Sequence, residues 1–275
     1  MLERSAMKTP RIMAVVNQKG GVGKTTTAIN LAAGLVGQGA RVLIVDLDPQ
    51  GNASTGLGVR AENRNPSTYD LLIDEVPIAD VVRQTDIANL LICPGNSDLS
   101  SADIDLVSNE KRSFLLHDAL RQPAVERLDL DFIMIDCPPS LSLLTVNALV
   151  ASHAVLIPLQ AEFFALEGLS QLMVTIRTIR QSANPNLRIE GVVVTMYDGR
   201  NRLSQQVEAD VRATLGDMVF QTVIPRNVRV SEAPSFAMPV LQYDSASRGS
   251  EAYRSLSKEL LLRHPLDKAP PGKVP

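Results

Sequence analysis

Gln18-Lys19-Gly20-Gly21-Val22-Gly23-Lys24-Thr25-Thr26 restricts what this 275-residue chain can fold into more than any other stretch. Just upstream, Arg11 to Asn17 reads as a short buried β-strand. Just downstream, Thr27 to Gln38 is rich in helix formers, with Ile29, Ala32, Ala33 and Val36 on one face. Strand, glycine loop and helix in that order are the setting of a phosphate-binding loop. Lacking a Cβ, the glycines can take positive φ and turn several backbone N–H groups toward one point. That point lies at a helix N-terminus, where unpaired donors and the helix dipole favour an anion. Lys24 can then reach the terminal phosphates, and the Thr25 hydroxyl suits Mg2+. A plain turn would account for the glycines but leave Lys24-Thr25 unexplained.

The loop departs from the usual G-x-x-x-x-G-K-[ST] pattern, because its first glycine should stand at position 18, which is Gln18. Lys19 opens the loop instead. With Lys24 supplying the ordinary intramolecular contact, Lys19 is surplus to a monomeric site, and its bland reading is a solvated surface lysine. Two further segments carry carboxylates. Arg41 to Val45 is an apolar run of strand length ending in Asp46-Leu47-Asp48-Pro49-Gln50-Gly51-Asn52. Carboxylates at the carboxyl end of a strand sit where ligands bind in open parallel sheets, although a turn rich in Asp, Pro and Gly reads similarly. Phe132 to Asp136 is an apolar strand ending in one aspartate, the form of a Walker B element that holds Mg2+ through water. Many strands end in Asp for turn reasons, so this segment gains meaning from its pairing with the glycine loop.

Beyond these landmarks the pattern alternates. Strands are predicted at Leu90–Gly95, Ala154–Leu159, Gly191–Met196 and Val219–Ile224. Helices are predicted at Ser67–Ile73, Ile78–Val82, Asp103–Val107, Ser113–Arg121, Leu141–Val150, Leu166–Gln181, Leu203–Leu215, Ser231–Phe236 and Gly249–Arg263. Phe114, Leu115, Ala119 and Leu120 are expected to form the apolar face of the fourth of these helices. Such alternation implies an α/β fold, a doubly wound and mostly parallel sheet with helices on both faces. One domain over residues 11–263 is expected, after a flexible segment 1–10 and before a Pro-rich tail 264–275.

Composition bounds the rest. The hydrophobic content of 45% supports a substantial core, and no run reaches membrane-spanning length. Met1 to Pro10 lacks the apolar centre of a secretory signal, so a cytoplasmic location is expected. Cys93 and Cys137 stand far apart with no C-x-x-C pairing, which argues against a disulfide framework and a multi-cysteine metal site within one chain. The net charge of −3 hides an asymmetry: residues 1–176 sum to −7 and residues 177–275 to +4. A basic face in the C-terminal third is thereby permitted.

Lys19-Gly20-Gly21-Val22-Gly23-Lys24-Thr25-Thr26 resembles the deviant Walker A loop of the ParA/MinD class. From Arg11 to Arg263 the chain is most similar to the Soj/ParA chromosome-partitioning ATPases. Asp46 to Asn52, Asp136-Cys137-Pro138-Pro139-Ser140, Gln160 to Gly168, Thr195 to Arg200 and Ile224 to Arg229 all look like that family's segments, in its order. The resemblance implies ATP on the loop, held by Gly20, Gly21, Val22, Gly23, Lys24 and Thr26. Mg2+ is implied at Thr25 and Asp136, with Asp46 in support. Asp48 takes the role of positioning the attacking water. Lys19 is assigned to the partner's nucleotide in an ATP-state homodimer, like an arginine finger supplied in trans. Met196, Pro225 and Asn227 are placed near the adenine. Non-specific double-stranded DNA binding falls to Arg200, Arg202 and Arg229, with Arg226 and Lys258 beside them; scattered solvated arginines are the competing reading. The resemblance further implies slow intrinsic turnover, a ParB-type centromere-binding partner that stimulates hydrolysis, and a nucleoid-associated location without a membrane. A MinD-like membrane-associated ATPase is the alternative. It would need a basic amphipathic C-terminal segment, whereas the helix with Leu256, Leu260, Leu261 and Leu262 contains Glu251 and Glu259 and reads as a packing helix. An iron–sulfur carrier on the same loop would need cysteines placed to bridge a cluster between subunits, and Cys93 and Cys137 have no suitable pairing.

Overall fold

The structure is a computed structural model and describes residues 9–266. The expected segment 1–10 and tail 264–275 lie mostly outside that range; Pro10 is buried, and His264 bonds to Glu190. Seven strands form one sheet: β1 (Arg11–Val15), β2 (Val42–Asp46), β3 (Arg83–Gln84), β4 (Leu90–Cys93), β5 (Phe132–Asp136), β6 (Ala154–Gln160) and β7 (Arg188–Thr195). Their spatial order is β3-β4-β2-β5-β1-β6-β7, parallel throughout except for the antiparallel edge pair β3–β4. Because β1 lies between β5 and β6, the chain leaves it toward one side of the sheet and later returns to the other. Ligands bind at such a switch point in open α/β sheets.

Strand side chains alternate between faces, and both faces are covered. One face, with Met13, Val15, Ile44, Met134 and Leu156, packs on the first helix, α1 (Lys24–Val36), and on the C-terminal helix Arg248–Arg263 through Leu31, Leu35, Tyr253, Leu256 and Leu260. The other face, with Ile12, Ala14, Leu43, Ile133 and Ile157, packs on the helices Leu143–Ala151 and Ala165–Ser182. The expected doubly wound sheet is therefore present.

Some expectations are corrected. Val219–Ile224 is not a strand. It touches β7 through the isolated bridge Val192–Val219 and through the amides of Phe220 and Ile224, which donate to Val192 O and Val194 O at 2.9 and 2.8 Å. The intervening amides of Gln221 and Thr222 donate instead to the Glu259 carboxylate, at 2.7 and 3.0 Å, so a side chain of the C-terminal helix replaces the ladder. The predicted helix Ser113–Arg121 is a single turn or so, Leu115–Ala119. It buries Leu116, while Phe114 is 38% exposed. Helix α1 starts at Lys24, three residues before the predicted start, because Gly23 takes a left-handed conformation (φ 88°) that turns the chain straight into the helix.

Candidate functional site

The glycine loop leaves the carboxyl end of β1 and enters α1 at the switch point. Gly21 and Gly23 carry the positive φ angles, 75° and 88°, that the sequence pattern requires. Neighbouring strands brace the loop. The Asn17 amide donates to Pro158 O at 2.7 Å, Lys19 N donates to Asn17 Oδ1 at 3.0 Å, and the Thr195 hydroxyl donates to Val22 O at 2.8 Å. Val22 is buried, so it can serve a ligand only through its backbone. Lys24 is also buried, and its ammonium donates to Lys19 O at 3.0 Å. Burial lowers its pKa, while Asp136, Cys137 and Asp48 act in the opposite direction.

Register brings the carboxylates together. Asp46 and Asp136 are paired positions at the ends of β2 and β5, and Asp136 is also in register with Val15 of β1. Asp46 is fully buried and accepts bonds from the Ser54 hydroxyl (2.7 Å), Ser54 N (2.9 Å) and Asp48 N (3.2 Å). Burial still raises its pKa to about 6, with those bonds pulling the other way and the Asp48 charge adding to the rise. Asp136 is equally buried, and neither oxygen finds a hydrogen-bond partner of good geometry. Burial pushes its pKa well up and the Asp46 charge adds to this; the nearby Thr25 hydroxyl and Lys24 oppose it. An orphaned buried carboxylate needs an explanation, and a cation with bound water fits one beside Thr25. Among the described residues no group of three or more His, Cys, Asp or Glu side chains forms a metal cage.

A cleft of about 470 Å³ opens over the loop, lined by Gly20, Lys24 and Thr25 on one side and by Asp48, Asn52 and Thr55 on the other. A smaller hollow of about 210 Å³ adjoins it across Gly23 and Thr26 and brings together Met196, Pro225 and Asn227. The three residues predicted for adenine therefore line one hollow beside the loop. Asn52 closes the Asp46–Asn52 segment, whereas Thr55 carries no signal in the sequence. They stand on the short helix Asn52–Gly56, which has no periodicity to read.

Lys19 lies apart from the other loop residues. Its side chain is 45% exposed, and its ammonium pairs with Glu162 on the loop after β6. Phe163 and Phe164, next in that loop, are exposed and packed edge to face. The five predicted DNA-contacting cations are partly gathered. The Tyr197–Pro225 bridge sets Arg226 beside the turn that carries Arg200 and leads to Arg202. Arg200 forks onto both oxygens of Asp198 at 3.0 Å and holds that carboxyl down at about pKa 2. Arg229 pairs with Glu232 at 2.9 Å and Asp244 at 3.3 Å. Lys258 is exposed on the C-terminal helix.

The comparisons agree with this geometry. A family model described as an AAA domain matches residues 10–189. The chain is 54% identical to the chromosome partitioning protein ParA of Caulobacter vibrioides over 92% of its length and 94% of the relative's. It is 50% identical to the sporulation initiation inhibitor protein Soj of Bacillus subtilis, over 91% and 98%. Among solved structures it resembles a Mycobacterium smegmatis protein named cobyrinic acid a,c-diamide synthase, solved with bound ADP and magnesium. There the TM-score is 0.80 and the identity 36%, covering 97% of this chain and 100% of that one. With the glycine loop, the paired carboxylates and these relatives all in agreement, the chain belongs to the ParA/Soj family of chromosome-partitioning ATPases.

Proposed function

We propose that this chain is a DNA-partitioning ATPase. It binds ATP with Mg2+ in the cleft, pairs with a second copy in that state and binds double-stranded DNA without sequence preference. Hydrolysis, slow alone and stimulated by a ParB-type partner, resets it. The observation that carries this reading is the separation of the two loop lysines. Lys24 is buried under the loop, so the cleft already has its own cation, whereas the Lys19 side chain on the same loop is half-exposed and pairs with Glu162. A cation so placed serves a nucleotide in another molecule. Burying a triphosphate between two proteins is unfavourable without countercharge, and the partner's Lys19 supplies it. Loss of the terminal phosphate removes that contact from both sides.

Within one cleft, the backbone of Gly20 to Thr26 and the Lys24 ammonium bind the phosphates, and Met196, Pro225 and Asn227 orient the base. Thr25, Asp46 and Asp136 are the groups that hold Mg2+, which when bound stabilises charge on the phosphate oxygens. Asp48 aligns the attacking water, and the partner's Lys19 stabilises the charge that develops on transfer. A membrane-associated role gains no support from the last helix, whose Leu256 and Leu260 are in the core. No helix among the described residues is long and apolar enough to cross a membrane.

DNA binding tests the reading. Exposed ion pairs such as Arg200–Asp198 contribute little, so a DNA phosphate can displace the carboxylate. Binding to random-sequence duplex should appear with ATP, be weak with ADP and fall steeply with salt. Arg200→Ala combined with Arg229→Ala should lower the affinity and flatten the salt dependence. Equal binding with ATP and ADP would overturn the nucleotide switch, and an unchanged salt slope would overturn the arginine assignment.

A further inference from the structure

Arg64 lies in the stretch that follows the cleft's carboxylate loop, and it is only 8% exposed. Arginine is seldom buried without a carboxylate. Here the guanidinium instead donates to neutral acceptors in three segments: Nε to Val59 O at 3.1 Å, Nη1 to Gly95 O at 3.3 Å and Nη2 to the Thr55 hydroxyl at 2.7 Å. Thr55 lines the cleft. Arg64 also forms the seat of Gly51, which has φ 60°: a Cβ there would run into the guanidinium and approach Gly95 O to 2.8 Å. Gly95 continues the chain of contacts. Its N–H donates to the Ser54 hydroxyl at 3.0 Å, and Ser54 grips Asp46 through both its amide and its hydroxyl. A Cβ on Gly95 would come within 2.8 Å of Asp46 O. The buried cation thus holds the Thr55 end of the segment Asp46–Thr55 directly and reaches its Asp46 end through Gly95 and Ser54, with Asp48 between them.

We propose that Arg64 is a positioning residue, fixing this wall of the cleft so that Asp48 is held in place for the hydrolytic step. The proposal rests on the ATPase reading above. A planar fork that serves three acceptors at once is peculiar to arginine; a lysine ammonium is a point charge that cannot span them. Burying an unpaired charge violates a local rule of stability, and such violations concentrate at functional sites.

The test compares wild type with Arg64→Met, which keeps much of the stem volume but no donor, and Arg64→Lys. Steady-state hydrolysis, affinity for a fluorescent ATP analogue and amide hydrogen exchange are the readouts. Arg64→Met should lower kcat by about tenfold or more with the analogue affinity within about threefold, the split expected when an interaction made in the transition state is lost. Its exchange should quicken in residues 46–56 but not in residues 19–27, and Arg64→Lys should recover part of kcat. Wild-type kcat and exchange in Arg64→Met would overturn the proposal. So would exchange that quickens across both segments with affinity and kcat falling together, which marks general destabilisation. If the wild type hydrolyses no ATP, the ATPase reading fails. The exchange pattern then still decides whether Arg64 fixes the wall: a local quickening upholds that role and an unchanged pattern overturns it.

Discussion

Asp46 accepts three hydrogen bonds in a fully buried seat, yet burial still holds its pKa at about 6, above its ordinary 3.8. The folded chain therefore keeps a proton that the unfolded chain releases. The stability contributed by that proton is complete below about pH 4 and is lost as pH rises through about 6. Relative to Asp46→Asn, the wild type without nucleotide or Mg2+ should lose stability as pH rises through about 6. Urea unfolding at a series of pH values measures this, and parallel profiles for the two proteins would contradict the burial account. A divalent cation needs the deprotonated carboxylates, so its binding should strengthen over the same rise in pH. At this scale the sequence was informative where a residue's role depends on its neighbours in the chain. Lys24, Thr25, Asp46 and Asp136 could be picked out because each ends or follows a recognisable strand or loop. Arg64 could not, because its acceptors Thr55, Val59 and Gly95 converge only in the folded chain.

The central strands were legible because a strand buried on both faces is a continuous apolar run, as in Val42–Asp46 and Phe132–Asp136. Short pieces carry no period: the two-residue strand Arg83–Gln84 and the helix Asn52–Gly56 gave no signal. Val219–Ile224 had the composition of a strand, but Glu259, 38 residues from Gln221, takes two of its amides. Tertiary contacts overrode local preference there. The C-terminal helix separates the same two influences. Leu260 is fully buried against the sheet layer that carries α1, whereas Leu262 is 83% exposed. Leu260→Ala should cost about 2–4 kcal/mol in denaturant unfolding, and Leu262→Ala less than about 0.5 kcal/mol. Similar small effects at both positions would mean that the helix is not docked as described.

At the scale of the whole molecule, the cleft and the half-exposed Lys19 lie on one face, at the carboxyl ends of the strands. A two-fold dimer presents the same patch twice, so a residue reaching across from one copy is matched by its equivalent from the other. Lys19 must leave Glu162 to do so, and the exposed Phe163 and Phe164 border that pair. Under the proposed function, two sets of Arg200, Arg202 and Arg229 would be offered to one DNA duplex, and each phosphate contact would add to the salt dependence. The direct measurement is the mass of the protein in solution, by light scattering after gel filtration, without nucleotide, with ADP and with ATP and Mg2+. Wild type, Lys19→Ala and Asp48→Ala should be measured together. The account predicts a dimer only with ATP for wild type, a monomer in every condition for Lys19→Ala and a persistent ATP dimer for Asp48→Ala. A wild type of one mass in all three conditions, or a Lys19→Ala variant that still dimerises with ATP, would contradict it.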